Sequence, residues 1–120
     1  MTAQMVLVVE DEPLLRMAAL AMVEEAGFQA LAASDCEMAV RVLNTCSDIA
    51  VVFTDVDLGY GKDGLWLASQ IAERWPAVRI IVTSGYRHVT PERVPAGAIF
   101  FEKPYSEEKV VDEMRKFVGQ

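Results

Sequence analysis

The 120 residues contain no apolar run near the ~20 needed to cross a bilayer, which excludes a helical membrane span. The first apolar run is short and leads straight into Glu10-Asp11-Glu12, so no signal peptide is expected. Basic residues are scarce: 11 Lys and Arg face 18 Asp and Glu, for a net charge of −7. That balance opposes non-specific binding to nucleic acid or to an anionic membrane, and neither is expected as a partner. There are only two cysteines and one histidine. Cys36 and Cys46 fall ten positions apart on one expected helix, or ~15 Å at the rise of an α-helix. A disulfide reaches less than ~7 Å. Two reduced thiols and a cytoplasmic location are expected. A metal site built from Cys or His lacks ligands at suitable spacing. His88, in a polar stretch before Thr90-Pro91, reads as a surface loop residue. Repeats, linkers and low-complexity segments are absent, so residues 1–120 read as one domain with no output domain attached.

What is present is apolar material for one core: 52% of residues are hydrophobic and the mean hydropathy is +0.22. Met5 to Val9 is a continuous strand-like run. Pro13 suits the first position of a helix that runs to about Ala26 and stops at Gly27. Phe28 to Ala33 is a second strand. Ser34-Asp35-Cys36-Glu37 has the Ser-x-x-Glu pattern of a capping box, opening a helix to about Cys46. Ile49 to Thr54 is the third strand. A helix over Gly64 to Trp75 closes at Pro76, and Val78 to Thr83 and Ala98 to Phe101 are the last two strands. Ser106 caps a final helix whose stripe is Val110, Val111, Met114, Phe117 and Val118. Between Gly85 and Gly97, Pro91 and Pro95 leave room for a turn or two of a fourth, irregular helix. Five strands alternating with five helices, the strands apolar on both faces, predict an α/β fold with a parallel sheet.

In such a sheet the carboxyl ends of the strands share one edge, where ligands bind. Glu10-Asp11, Asp55 with Asp57, Thr83-Ser84 and Glu102-Lys103-Pro104 would meet there. An Asp after a strand also serves simply as a turn former. Several carboxylates in a small volume call for a hard divalent cation, and Mg²⁺ takes oxygen ligands and keeps waters. Lys103 adds a cation and Thr83 a hydroxyl. Together they suit a phosphoryl group, with a carboxylate able to act as nucleophile.

Val8-Val9-Glu10-Asp11-Glu12, Thr54-Asp55-Val56-Asp57, Asp63-Gly64-Leu65, Val82-Thr83-Ser84 and Lys103-Pro104 together resemble the motifs of response regulator receiver domains, in that family's order and over the whole chain. The resemblance implies a flavodoxin-like, doubly wound sheet of strand order 2-1-3-4-5. It implies that Asp55 accepts the phosphoryl group. Glu10 and Asp11 would hold Mg²⁺ (or Mn²⁺), Asp11 closely and Glu10 through water, with a backbone carbonyl from Asp57. Thr83 and Lys103 would bind the phosphoryl group, and the Lys103-Pro104 bond would be cis. Phe100 stands at the place of the family's switch aromatic, without a hydroxyl, and reads equally as a core residue. A histidine kinase or a histidine phosphotransfer protein would be the donor, and an unidentified protein would receive the output. The irregular fourth helix weakens the case for a standard dimer, leaving a monomer or a weak phosphorylation-dependent dimer. Such a domain is not a turnover enzyme: it takes the group once and releases it slowly.

Three other readings compete. Gly59-Tyr60-Gly61-Lys62-Asp63-Gly64 matches a dinucleotide fingerprint, but Asp55 and Asp57 would repel a pyrophosphate, and no acid for the ribose stands near Ser84. Asp55-Val56-Asp57 also fits the nucleophile motif of haloacid-dehalogenase-like phosphatases, although their motif normally precedes the other acids. A receiver-like scaffold that never takes phosphate is the third. On the first helix, ~100° per residue puts Leu15, Ala18, Ala19, Met22 and Ala26 toward the sheet. It puts Met17 and Leu20 on the far side, where the resemblance to receiver domains implies a docking surface for the donor.

Overall fold

The computed structural model describes residues 4–59, 61–85 and 91–118. Its strands are β1 (Met5–Val9), β2 (Gln29–Ala33), β3 (Ile49–Asp55), β4 (Arg79–Ser84) and β5 (Ile99–Glu102). All pair in parallel, in the order β2-β1-β3-β4-β5. The helices are α1 (Pro13–Glu25), α2 (Cys36–Thr45), α3 (Gly64–Arg74) and α4 (Glu107–Phe117). The fold is the expected flavodoxin-like sheet.

The helix count differs from expectation. Among the described residues there are four α-helices, not five. Pro91–Arg93 forms only a single 3-10 turn in the place of the fourth helix. Proline lacks an amide hydrogen, and this segment has no apolar stripe to hold a longer helix against the sheet. His88, expected on a surface loop, lies outside the described residues, as does Tyr60 of the glycine-rich stretch.

Helix starts follow local chemistry. Pro13 takes the first position of α1, and the Glu12 carboxylate accepts from the Leu15 amide at 2.8 Å. Asp63 caps α3 by accepting from the Trp66 amide, and Ser106 caps α4. The expected capping box at Ser34 is displaced by one residue. Asp35 is the cap of α2, its carboxylate accepting from the Met38 amide at 2.8 Å. A carboxylate there also meets the positive end of the helix dipole.

Strand alternation divides the core into two layers. Val6, Val8, Val51, Phe53 and Ile81 point toward α1 and α4, where Ala19, Met22, Val23, Val110 and Met114 cover them. Leu7, Val9, Val52, Ile80 and Val82 point the other way, under α2 and α3. α1 differs in detail from its expected orientation. Ala19, Met22 and Val23 are buried, but Leu15 is 50% exposed and Ala18 is exposed. Leu15, in the first turn of α1, lines the cleft at the carboxyl edge of the sheet instead of packing into the core. Leu20, expected outside, is half-buried against the core with Ala26. Met17 is 64% exposed.

Gly64 fixes how closely α3 approaches the sheet. A Cβ there would collide with the Asp55 carbonyl oxygen and stand 2.8 Å from its carbon. The Gly64 amide donates to the Val56 carbonyl at 2.9 Å, so the approach is hydrogen-bonded. Gly64→Ala should therefore destabilise the fold by about 1–3 kcal/mol, the usual cost of overpacking. Urea denaturation checks this; an unchanged midpoint would show that α3 can shift outward freely.

Candidate functional site

Asp55 is the last residue of β3, and its neighbour across the ladder is Thr83 of β4. Equal parity puts their side chains on one face, that of α1 and α4. Glu10 follows β1 with the parity of Val6 and Val8. Lys103 follows β5 with the parity of Ile99 and Phe101. These four side chains therefore leave the sheet on the same side, at the same edge. They line one cleft of about 780 Å³ together with Asp11, Asp57 and Gly59.

Asp55 is 8% exposed and both of its carboxylate oxygens are engaged. Oδ2 lies 2.8 Å from Lys103 Nζ, and Oδ1 accepts from the Asp57 amide at 3.2 Å. Lys103 Nζ also lies 3.8 Å from Glu10 Oε1. Burial works against the lysine's charge, but the hydrogen bond and charge of Asp55, with Glu10 behind, outweigh it and hold the ammonium above its ordinary range. Glu10 is in the opposite position. Burial, with the Asp55 charge adding to it, pushes its carboxyl up to about 7, against the pull of the Glu12 amide and Lys103. Arg16 of α1 braces the loop between them by donating to the carbonyls of Glu10 and Asp11 at 3.0 and 3.4 Å.

The sequence-derived site residues separate into three groups. Glu10, Asp11, Asp55, Asp57, Thr83 and Lys103 line the cleft, with Pro104 at its border. The Lys103-Pro104 peptide bond is cis. Phe100 is apart from them. It pairs with Val82 and packs with the layer under α2 and α3, on the face opposite Thr83. Met17 and Leu20 are on α1, and only Met17 is exposed; the placement of Leu20 on the outer face is corrected, because the core holds it.

The sequence reading did not find Tyr105, whose ring stands edge-on to Phe53 with centroids 5.6 Å apart and lines the cleft. Cys36, read from the sequence only as a reduced thiol, is buried and donates to the carbonyls of Lys62 and Asp63 at 3.3 Å, tying α2 to the loop after β3. Burial pushes that thiol up to about 11, so it stays protonated. Both contacts span long sequence separations and carry no local signal.

The donor set fits a hard cation. Every group is an oxygen: the carboxylates of Asp11, Asp55 and Glu10, and the carbonyls of the loop after β3. That loop passes very close to Asp11, since a Cβ on Gly59 would stand 2.9 Å from Asp11 Oδ2, and Gly59 has φ +72°. The backbone thus leaves space beside the acids that a side chain would fill. Among the described residues, no three His, Cys, Asp or Glu side chains close around one point. An ion that keeps several waters, as Mg²⁺ does, matches this better than a caged ion.

Glu10 gives a pH prediction. It binds its proton more tightly folded than unfolded, so the metal-free protein loses stability as pH rises from 4.5 to about 7, and no more above that. Glu10→Gln should remove this loss, on the order of 2 kcal/mol at pH 7.5 and much less at pH 4.5. Thermal denaturation in chelator at the two pH values checks it; equal shifts at both would rule out the titration.

The response regulator receiver domain family model matches residues 6–115. An NtrX-like response regulator of Rickettsia bellii (strain RML369-C) is 29% identical over 110 residues, covering 88% of this chain. The chain spans 23% of that relative's length. A response regulator receiver protein from Sinorhizobium medicae WSM419 superposes with a TM-score of 0.87 at 25% identity, covering 98% of this chain and 95% of its own. The response regulator TrrA from Thermotoga maritima, solved in complex with Mg²⁺-BeF, superposes with a TM-score of 0.82 at 21% identity, covering 95% and 98%.

Proposed function

The chain belongs to the response regulator receiver domain family, and on that premise we propose that it takes a phosphoryl group from a phosphohistidine onto Asp55 in a Mg²⁺-dependent step. The observation that carries this reading is the pair Asp55–Lys103: a buried carboxylate with a lysine at 2.8 Å, facing a cleft that also holds Thr83, Glu10 and Asp11. Asp11, Asp55 and the Asp57 carbonyl would hold the cation directly, and Glu10 would act through water. Mn²⁺ suits the same oxygens. When bound, the metal neutralises charge shared between the acids and the phosphoryl oxygens. The Mg²⁺-BeF complex of TrrA supports the metal.

The chain's own groups do the rest. An Asp55 oxygen attacks phosphorus while the donor's N–P bond breaks. Lys103 swings from the carboxylate to a phosphoryl oxygen, a short move because Nζ already lies within reach of both Asp55 and Glu10. The Thr83 hydroxyl donates to another oxygen. Moving Thr83 and Lys103 inward shifts the loops after β4 and β5, and that shift is the signal to a partner protein. Phe100, on the opposite face, would follow through repacking around Val82 rather than by direct contact with Thr83. The domain releases the group slowly and is not a turnover enzyme. The donor is a histidine kinase or a histidine phosphotransfer protein, and it docks on the outer face of α1, where Leu14 and Met17 are 73% and 64% exposed.

Intact mass after incubation with acetyl phosphate tests the chemistry. One phosphoryl adduct is expected with Mg²⁺, none in chelator and none with Asp55→Asn. Continuous release of phosphate from a phosphomonoester would point to a phosphatase instead. For docking, Met17→Ser should slow transfer from the phosphorylated donor protein at least ~3-fold, as expected for a contact residue. It should shift stability by under about 0.5 kcal/mol. Leu20→Ser should cost about 1–2 kcal/mol of stability, because it removes a core contact.

A further inference from the structure

The cleft does not end at the acids. It is also lined by Phe53, by Leu15 and Ala18 of α1, and by Pro104 and Tyr105 of the segment joining β5 to α4. Its two halves differ in chemistry. One is oxygen-lined and carries Lys103; the other is apolar and aromatic. Packing edge-on to Phe53 fixes the Tyr105 ring. Leu15 is 50% exposed, an apolar side chain on the sheet side of α1. Glu12, capping α1, and Glu107, in the first turn of α4, also line this cleft. A phosphoryl group and a hydrated cation need the first half only.

We propose that the second half seats the imidazole ring of the phosphodonor, and that Tyr105 and Leu15 make this chain discriminate a phosphoimidazole from an acyl phosphate. The proposal rests on the phosphoacceptor reading above and names the donor chemistry that this site selects. In the transfer, the P–N bond of the donor breaks and the P–O bond to Asp55 forms. A phosphoimidazole protonated on its second ring nitrogen carries a positive ring. When the bond breaks, the ring keeps the electron pair and leaves as neutral imidazole, with no proton to be moved. An acyl phosphate must instead shed a carboxylate into a cleft that already holds Glu10, Asp11, Glu12, Asp57 and Glu107. The acids favour the cationic ring before transfer and disfavour the anionic leaving group after it. The flat aromatic body of the ring matches Leu15 and Ala18, and its charge is attracted to the π-face of Tyr105.

The test uses the full chain, Mg²⁺, and two small donors, monophosphoimidazole and acetyl phosphate, so that protein docking plays no part. The second-order rate constant for the Asp55 adduct is read by intact mass for each donor, and the ratio of the two is compared between variants. The expected result is a ratio about fivefold lower in Tyr105→Ala and roughly two- to threefold lower in Leu15→Ser, the range of a lost ring contact. Tyr105→Phe should keep the wild-type ratio, since the ring and not the hydroxyl is invoked. Glu107→Lys should lower the ratio by favouring the anionic leaving group. If the ratio in Tyr105→Ala and Leu15→Ser stays within twofold of wild type, however far both rates fall, the subsite is overturned. Should Tyr105→Ala fail to fold, the half-exposed Leu15 decides alone. Wild type that takes no adduct from either donor, or an adduct that survives Asp55→Asn, overturns the receiver reading itself.

Discussion

Asp55 is a carboxylate held almost out of water at the end of a buried strand, and burial of a charge demands a partner. Lys103 supplies it from two strands away, across β4. This pair organises the carboxyl edge of the sheet. It draws the end of β5 toward β3 and leaves Glu10 with the weaker share of the cation at 3.8 Å. Glu10 is buried beside Asp55 without a close cation of its own, and burial first, then the Asp55 charge, pushes its carboxyl up to about 7. Two acids and one lysine do not neutralise each other in a low-dielectric site. The residual negative charge is what a bound cation would offset.

That edge exists because the five strands run in parallel and stay in register at their carboxyl ends. Asp55 faces Thr83 directly, and Ser84 faces Glu102, one residue before Lys103. Parity then decides which face of the sheet each side chain leaves. Asp55, Thr83, Glu10 and Lys103 share the face of α1 and α4, while Phe100 belongs to the other layer. The phosphorylation proposed at Asp55 would thus act directly on one side of the sheet and only through backbone movement on the other. The loop after β3 is held in place by close approaches rather than by large side chains. Gly64 lies against the Asp55 carbonyl, Gly59 against Asp11, and the Cys36 thiol reaches the carbonyls of Lys62 and Asp63.

The chemistry of the site was legible in the sequence because it is carried by residue types at strand ends. An apolar run that stops at an acid or a hydroxyl is a local signal, and four such polar ends in one α/β chain imply that they meet. The helix boundaries were nearly as clear, since caps act over three residues. The exception at Ser34 and Asp35 is instructive. Two adjacent residues can both cap, and the backbone conformation of Asp35, φ −155° and ψ 176°, chose between them. Leu15 and Leu20 were misjudged for a different reason. Helical periodicity gives the direction of a side chain but not whether anything lies under it. Leu15 borders the open cleft, and Leu20 lies beside core residues that a wheel does not show.

The sequence by itself determined the element order, the parallel α/β class, the acids, hydroxyl and lysine of the cleft, and the weakness of the segment around Pro91. These follow from local periodicity, capping and residue chemistry, which act over a few residues. Only the tertiary structure decided that Lys103 pairs with Asp55, that Glu10 is the acid whose carboxyl burial pushes up, and that Tyr105 and Leu15 add apolar lining to the cleft. It also decided that the fourth helix shrinks to one 3-10 turn among the described residues. Each of these depends on distances between segments far apart in the chain. Such distances are set by packing of the two core layers, and no local pattern encodes them.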